Sequence, residues 1–331
     1  MTATALNSNV KRALIVLVFV GLCIPPFLLD TNAYSLRIAT LILMFAGMAT
    51  AWNIVGGEAN LVSLGHTAFF GIGAYCSTLL LIHLQLSPWL GMIAALVLAG
   101  LASLIIGWPS FRLRGHYFAL GTLAFAEIIR IIVLYYAKAT GGALGISVPA
   151  MQDGWWFMQF VGNYEFYLIA LGMFAVVIFI GHTVHYAPLG YRLRALRSSH
   201  EAAEVVGVNT LKTKLIANFI SCSLMGAYGV LYAQMHFFID PETVFSFWNV
   251  SIKVAMMSIL GGLTYVWGPF VGAVVLTFLD EWTNAVFSDQ FAGVGRVLYG
   301  VLLIILVLVR PRGLLHWGEQ IFNRVFARLT K

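Results

Sequence analysis

Ten uninterrupted apolar runs constrain this chain more than any other feature. They lie near 13–29, 36–55, 61–84, 89–107, 116–136, 164–184, 214–237, 246–262, 268–287 and 295–309. At 1.5 Å of rise per residue, a helix over such a run approaches the ~30 Å thickness of a bilayer's hydrocarbon core. The runs are continuous and do not alternate with period two, so helices and not a β-barrel must satisfy the backbone in lipid. The eighth and tenth runs are short, which leaves room for a tilted or broken span at each. With 60% hydrophobic and 10% charged residues and a mean hydropathy of +0.90, the chain is far less charged than a soluble domain at ~25%. The expected fold class is all-α: one polytopic transmembrane bundle over 1–331, with about ten spans.

Lys11 and Arg12 precede the first run in the manner of a signal sequence. Gly21 to Phe27 offers no small-residue cleavage site and further spans follow, so a retained first span is expected. Lys and Arg accumulate on the cytoplasmic side of membrane proteins. With a cytoplasmic N-terminus, the inside segments hold Lys11, Arg12, Arg112, Arg114, Arg192, Arg194, Arg197, Lys212, Lys214, Arg310, Arg312, Arg324, Arg328 and Lys331, 14 of the 19 basic residues. Outside there are Arg37, Lys138 and Arg296, and the acids Asp30, Asp153, Asp240, Glu242 and Asp289 gather there. Ten spans return the C-terminus to the cytoplasm. The basic pI therefore reports topology and not nucleic-acid binding.

After Pro311, Leu314, Leu315, Ile321, Phe322, Val325, Phe326 and Leu329 recur at helical spacing. This predicts an interfacial amphipathic tail over 314–331. Cys23, Cys76 and Cys222 fall inside apolar runs with no paired spacing, so neither a disulfide nor a metal site is expected. His182 and His185 near a helix end are not arranged as metal ligands. Gly56-Gly57 with Gly71 and Gly73 is weakly echoed by Gly261-Gly262 with Gly268 and Gly272. An internal repeat and plain close packing of helices both account for the echo.

Three constellations carry functional information. In the long inside loop 185–213, Ser199 can cap a short helix with Glu201 in its first turn, Ala202 and Ala203 as a small flat face, and Gly207 at its end. A short exposed helix between two long spans suits a mechanical coupler, although an ordinary basic loop fits the same pattern. Glu127 and Arg130, three apart in the fifth span, share a helix face. Charges inside a membrane are costly and mark an interior interface or a pathway. A helix-locking ion pair and direct contact with a zwitterionic solute are both open. Lys253 is read as a lone cation that snorkels or meets a partner. Ser63, Gly65 and His66 follow Gly56-Gly57, where freed backbone could line a cavity and His66 could titrate or serve as hydrogen-bonded scaffold.

The segment Glu201-Ala202-Ala203-x-x-x-Gly207 resembles the EAA loop of bacterial ABC importer permeases. Residues Asn60 to Tyr75, Arg114 to Leu120, Thr122 to Arg130 and Thr140-Gly141-Gly142 through Gly145-Ile146 resemble the LivM-type permeases of branched-chain amino acid ABC transporters. The similarity runs in order from about residue 40 to 312. The chain departs from the family pattern at Leu144, at His116 and in the turn Gly261-Gly262-Leu263-Thr264-Tyr265.

The resemblance implies a multi-pass permease subunit in the bacterial inner membrane, not an enzyme. It implies that residues 191–210, with Arg194, Arg197, Glu201, Ala202, Ala203 and Gly207, couple to the ATPase. It also implies a second homologous permease, two cytoplasmic ATPase subunits and a periplasmic or external solute-binding protein as partners. Leucine, isoleucine and valine are the implied solutes, with urea and short amides as relatives. No G-x-x-x-x-G-K-[ST] occurs, so ATP and Mg are expected on partner subunits and no cofactor on this chain. Ser63, Gly65, His66, Thr122, Glu127, Arg130, Gly141 and Gly142 are the candidates for pathway or helix-packing roles. An ion-coupled secondary transporter relaying through Glu127, Arg130 or His66 is the rival reading. A membrane enzyme would need a converging acid, base or nucleophile set, which the sequence lacks.

Overall fold

The computed structural model describes residues 21–22, 34–113, 115–151 and 154–287, together with 297, 300–301, 304, 308 and 313–317. Most of the expected spans 13–29 and 295–309, most of the 314–331 tail and both termini lie outside the described residues.

Twelve α-helices occur among the described residues: α1 (Tyr34–Gly56), α2 (His66–Leu84), α3 (Pro88–Ser110), α4 (His116–Tyr135), α5 (Ala137–Thr140), α6 (Tyr164–Tyr186), α7 (Pro188–Ser198), α8 (His200–Val205), α9 (Thr210–His236), α10 (Pro241–Val244), α11 (Lys253–Gly261) and α12 (Gly268–Phe287). Local signals set several of their starts. Ser87 caps α3 ahead of Pro88 at its first position, and Asn209 caps α9 by accepting from the Lys212 N–H at 2.9 Å. Among the described residues, seven stretches are long and apolar enough to cross a membrane: α1, α2, α3, α4, α6, α9 and the compound stretch Pro241–Gly261. The only sheet among the described residues is a two-residue antiparallel pair, β1 (Ile146–Ser147) with β2 (Phe238–Ile239).

Helix α9 is the axle of the bundle, packing most extensively against α3 and α2, while α1 packs on α6, α12, α9 and α11. Small residues make these approaches possible, because packing contacts and not a hydrophobic drive hold helices together in lipid. A Cβ on Gly73 would fall 2.0 Å from the Gly226 carbonyl oxygen, and one on Gly229 would fall 2.0 Å from that of Phe70. The large side chains Trp52, Tyr167, Phe174 and Tyr228 are fully enclosed in the resulting core.

Two helices start or break inside the bundle. The apolar run 61–84 becomes helical only at His66, and 57–65 is an irregular segment turned by Asn60 at φ +56°. The run 246–262 is also not one α-helix, because α10, a bend and a π-helical turn (Phe247–Ile252) precede α11. Such π turns interrupt the regular ladder and occur preferentially at functional sites.

Candidate functional site

The two helix breaks meet. His66 is completely buried and joins three elements: its Nδ1 lies 3.0 Å from Ser63 Oγ and its Nε2 lies 2.8 Å from Ser221 Oγ on α9. Ser221 Oγ donates its one proton to the Ala51 carbonyl of α1 at 2.7 Å. It must therefore accept from His66, which assigns the proton to Nε2 and makes Nδ1 the acceptor of the Ser63 hydroxyl. The Trp52 indole N–H donates to the Ser63 carbonyl at 2.8 Å, and the Leu64 N–H donates to Thr122 Oγ1 at 3.1 Å. Gly65 is pressed against α4, where a Cβ would lie 2.6 Å from the Thr122 carbonyl. Ser63, Gly65, His66 and Thr122 thus form one scaffold, and both ring nitrogens of His66 are engaged.

Depth gives this scaffold its interest. Ser221 is eleven residues along α9, ~16 Å from its start, so α2 begins well inside the bundle. Its cap residue Gly65 offers no side chain, yet the first N–H groups of a helix need acceptors. The opposite break supplies one: Ser251 Oγ accepts from the Thr67 N–H at 3.0 Å, and Thr67 Oγ1 reaches the Val244 and Ser246 carbonyls at 3.2 Å each. A narrow crevice with about 10 Å³ of free volume, room for about one water, opens beside the scaffold between Ser63, Gly65, Phe118, Thr122 and Asn218.

The other end of segment 57–65 is clamped to the basic loop. Glu58 is buried, accepts from His185 Nδ1 at 2.5 Å and from Arg194 Nη1 at 2.9 Å, and Arg194 also donates to the His185 carbonyl. Arg197 Nη1 donates to the Gly57 carbonyl at 2.8 Å. Helix α7, which carries both arginines, is therefore fastened to the turn that ends α1. Beyond it, Ser199 Oγ accepts from the Ala202 N–H at 3.2 Å to start α8, and Gly207 at φ +85° ends the turn. Ala202 and Ala203 do not form one flat face. Successive residues point ~100° apart on a helix, so Ala203 is buried while Glu201, Ala202, Val205 and Val206 are exposed.

The remaining candidates do not join the His66 scaffold. Arg130 holds Glu127 through its Nε at 3.0 Å and also pairs with Glu242 of α10, a second acid that the sequence reading did not join to it. Gly141 and Gly142, at φ +72° and +55°, turn the chain after α5 toward β1, away from the His66 scaffold. Lys253 is not a lone cation: Asp280 of α12 accepts from it at 2.6 Å, and its ammonium lies 4.4 Å from the Phe45 ring centroid. Glu58, Ser221, Glu242 and Asp280 were all missed. Glu58 carried a usable signal, as an acid directly following Gly56-Gly57 in a chain with few acids. The other three are partners brought in from 27 to 155 residues away.

Residues 34–307 match the family described as "Branched-chain amino acid transport system / permease component". The chain is 30% identical to the high-affinity branched-chain amino acid transport system permease protein LivM of Escherichia coli, over 93% of this chain and 76% of that protein. It is 24% identical to the LivH permease protein of Salmonella typhimurium, over 83% of this chain and 92% of that one. A probable LivM permease of Methanocaldococcus jannaschii is 24% identical over 75% of this chain and 77% of the relative. No solved structure matches significantly.

Proposed function

The chain belongs to the branched-chain amino acid transport system permease family, and from that premise we propose that α7 and α8 are the lever through which partner ATPases move the buried helix break. The protein is a permease component of a branched-chain amino acid ABC transport system and catalyses no reaction itself. In our reading it works in the inner membrane as one transmembrane domain, with a second homologous permease, two cytoplasmic ATPases holding ATP and Mg, and an external solute-binding protein. The 187–209 end of the bundle is cytoplasmic.

One observation carries the mechanism. Segment 57–65 is held at one end by Arg194 and Arg197 of α7 and at the other by His66 and Ser63 beneath the start of α2. A short irregular link pinned at both ends transmits displacement as a strap does, because its slack is already taken up. Docking of an ATPase on the exposed face Glu201, Ala202, Val205 and Val206 would turn α8 and α7. That turn pulls on Gly57 and Glu58, and so on the contact between the two broken helices. Broken helices of this kind are where transporters place their substrate and ion sites.

Val205→Asp with Val206→Asp tests the docking face. The variant should insert normally and lose the copurifying ATPase. Unchanged copurification together with unchanged uptake would remove α8 from the coupling path.

A further inference from the structure

We propose that the exposed face of α4 is the seam at which this chain meets a second permease chain of its own family, with Glu127 and Glu242 answering a cationic or hydrogen-bond-donating side chain on that partner. The inference rests on the permease reading above and names a surface that the reading leaves open.

Among the described residues, helix α4 buries Phe118, Thr122 and Ala126 and leaves the rest of its surface partly or fully exposed. Its opposite face runs Tyr117, Leu120, Ala124, Glu127 and Ile131, all exposed, at spacings of three, four, three and four residues. That alternation is the period of a helix–helix seam, and Ala124 at its middle lets another backbone come close. The comparable outward face of α3, with Leu90, Ile93, Val97, Leu101 and Ile105, is wholly apolar, which is what lipid requires. The α4 face is not. Glu127 is the twelfth residue of a twenty-residue span and is 48% exposed. At 1.5 Å per residue it lies ~12 Å from the nearer helix end.

Charge decides what covers this face. Arg130 is shared between Glu127 and Glu242, the latter 68% exposed. Two carboxylates on one guanidinium leave one formal negative charge over. Glu242 stands at the end of its stretch, but the Glu127–Arg130 pair lies within a span, where lipid tails cannot solvate it, and intramembrane charges turn to a protein interior or a partner. Glu242 belongs to α10, directly before the π turn that holds Thr67. A partner gripping this acid pair therefore also touches the element that caps α2.

The experiment uses the assembled transporter, purified through a tag on this chain together with the homologous permease and the ATPases. A photo-crosslinking phenylalanine is placed at Leu120 or at Ile131, two large exposed positions that accept a bulky side chain without disturbing the core. The same probe at Ile93 and Val97 of α3 provides the lipid-facing comparison. The α4 positions should yield a band shifted by the mass of the second permease, and the α3 positions should yield none. Crosslinks from α4 to lipid alone, or to a second copy of this chain, overturn the seam if the second permease and ATPases still copurify; the permease reading then survives. Failure of the unmodified chain to copurify with any second permease would overturn that reading itself.

Discussion

Arg194 of α7 donates to Glu58 Oε2 at 2.9 Å across 136 residues of sequence, and the carboxylate's other oxygen accepts a hydrogen bond from His185 Nδ1 at 2.5 Å. Glu58 is buried, so the clamp is a structural bond. Truncating the acid leaves a partly buried guanidinium and imidazole without their acceptor. Arg194 is about a third exposed, which places the expected cost of Glu58→Ala near 1–3 kcal/mol and below that of a fully enclosed pair. Thermal unfolding in detergent should also show coupling, with Glu58→Ala plus Arg194→Ala costing less than the two single changes summed. Strict additivity would mean that the two residues do not bear on each other.

The His66 network gives a second expectation. Ser221→Ala removes the acceptor of the Nε2 proton and the donor to the Ala51 carbonyl at once, two losses at fully buried residues. We expect about 1–3 kcal/mol of destabilisation. Ser221→Thr keeps the hydroxyl and should retain uptake far better. Equal behaviour of the two variants would argue that the hydroxyl is not the relevant group.

Close packing makes a prediction whose sign depends on position. Gly73→Ala drives a methyl into the Gly226 backbone and should cost about 1–3 kcal/mol or more. Gly172→Ala on α6 meets nothing within 4 Å and should leave stability unchanged or improved by up to ~1 kcal/mol. Comparable losses at both sites would contradict the packing assigned to α2 and α9.

The acid pair on Arg130 predicts redundancy. Glu127→Gln leaves Arg130 its contact with Glu242, so the guanidinium keeps one carboxylate. Glu127→Gln with Glu242→Gln strips the guanidinium of both carboxylates within a span, where a bare charge costs about 2.5–3.5 kcal/mol. Expression and melting temperature should fall sharply only in the double variant. A severe Glu127→Gln phenotype would point to a role for that acid beyond holding Arg130.

Hydropathy made the helical membrane class legible, since all seven candidate spans among the described residues overlap runs visible as apolar sequence. The helix breaks were harder to see. Asn60, Leu61, Val62 and Leu64 are as apolar on average as a span, and only the positive φ at Asn60 and the outside cap from Ser251 reveal that α2 starts at His66. The short helix α8 was legible from Ser199 to Gly207 because caps are local chemistry. Its anchor was not, because Glu58 acquires meaning only when folding brings Arg194 and His185 to it. Lys253 misled for the same reason, since Asp280 is 27 residues away on another helix. Long-range polar pairs leave no periodicity, and they are what this candidate site is built from.

The most direct test of the lever is uptake measured beside ATP hydrolysis in proteoliposomes containing the whole complex, with Arg194→Ala and Arg197→Ala combined in this chain. Both substitutions release the strap without touching the exposed face of α8. We expect the ATPases to remain bound and to hydrolyse ATP, while uptake falls roughly 5- to 100-fold, the span of ordinary coupling free energies. Uptake that stays in proportion to hydrolysis would show that force reaches the spans by another route, and would contradict the account.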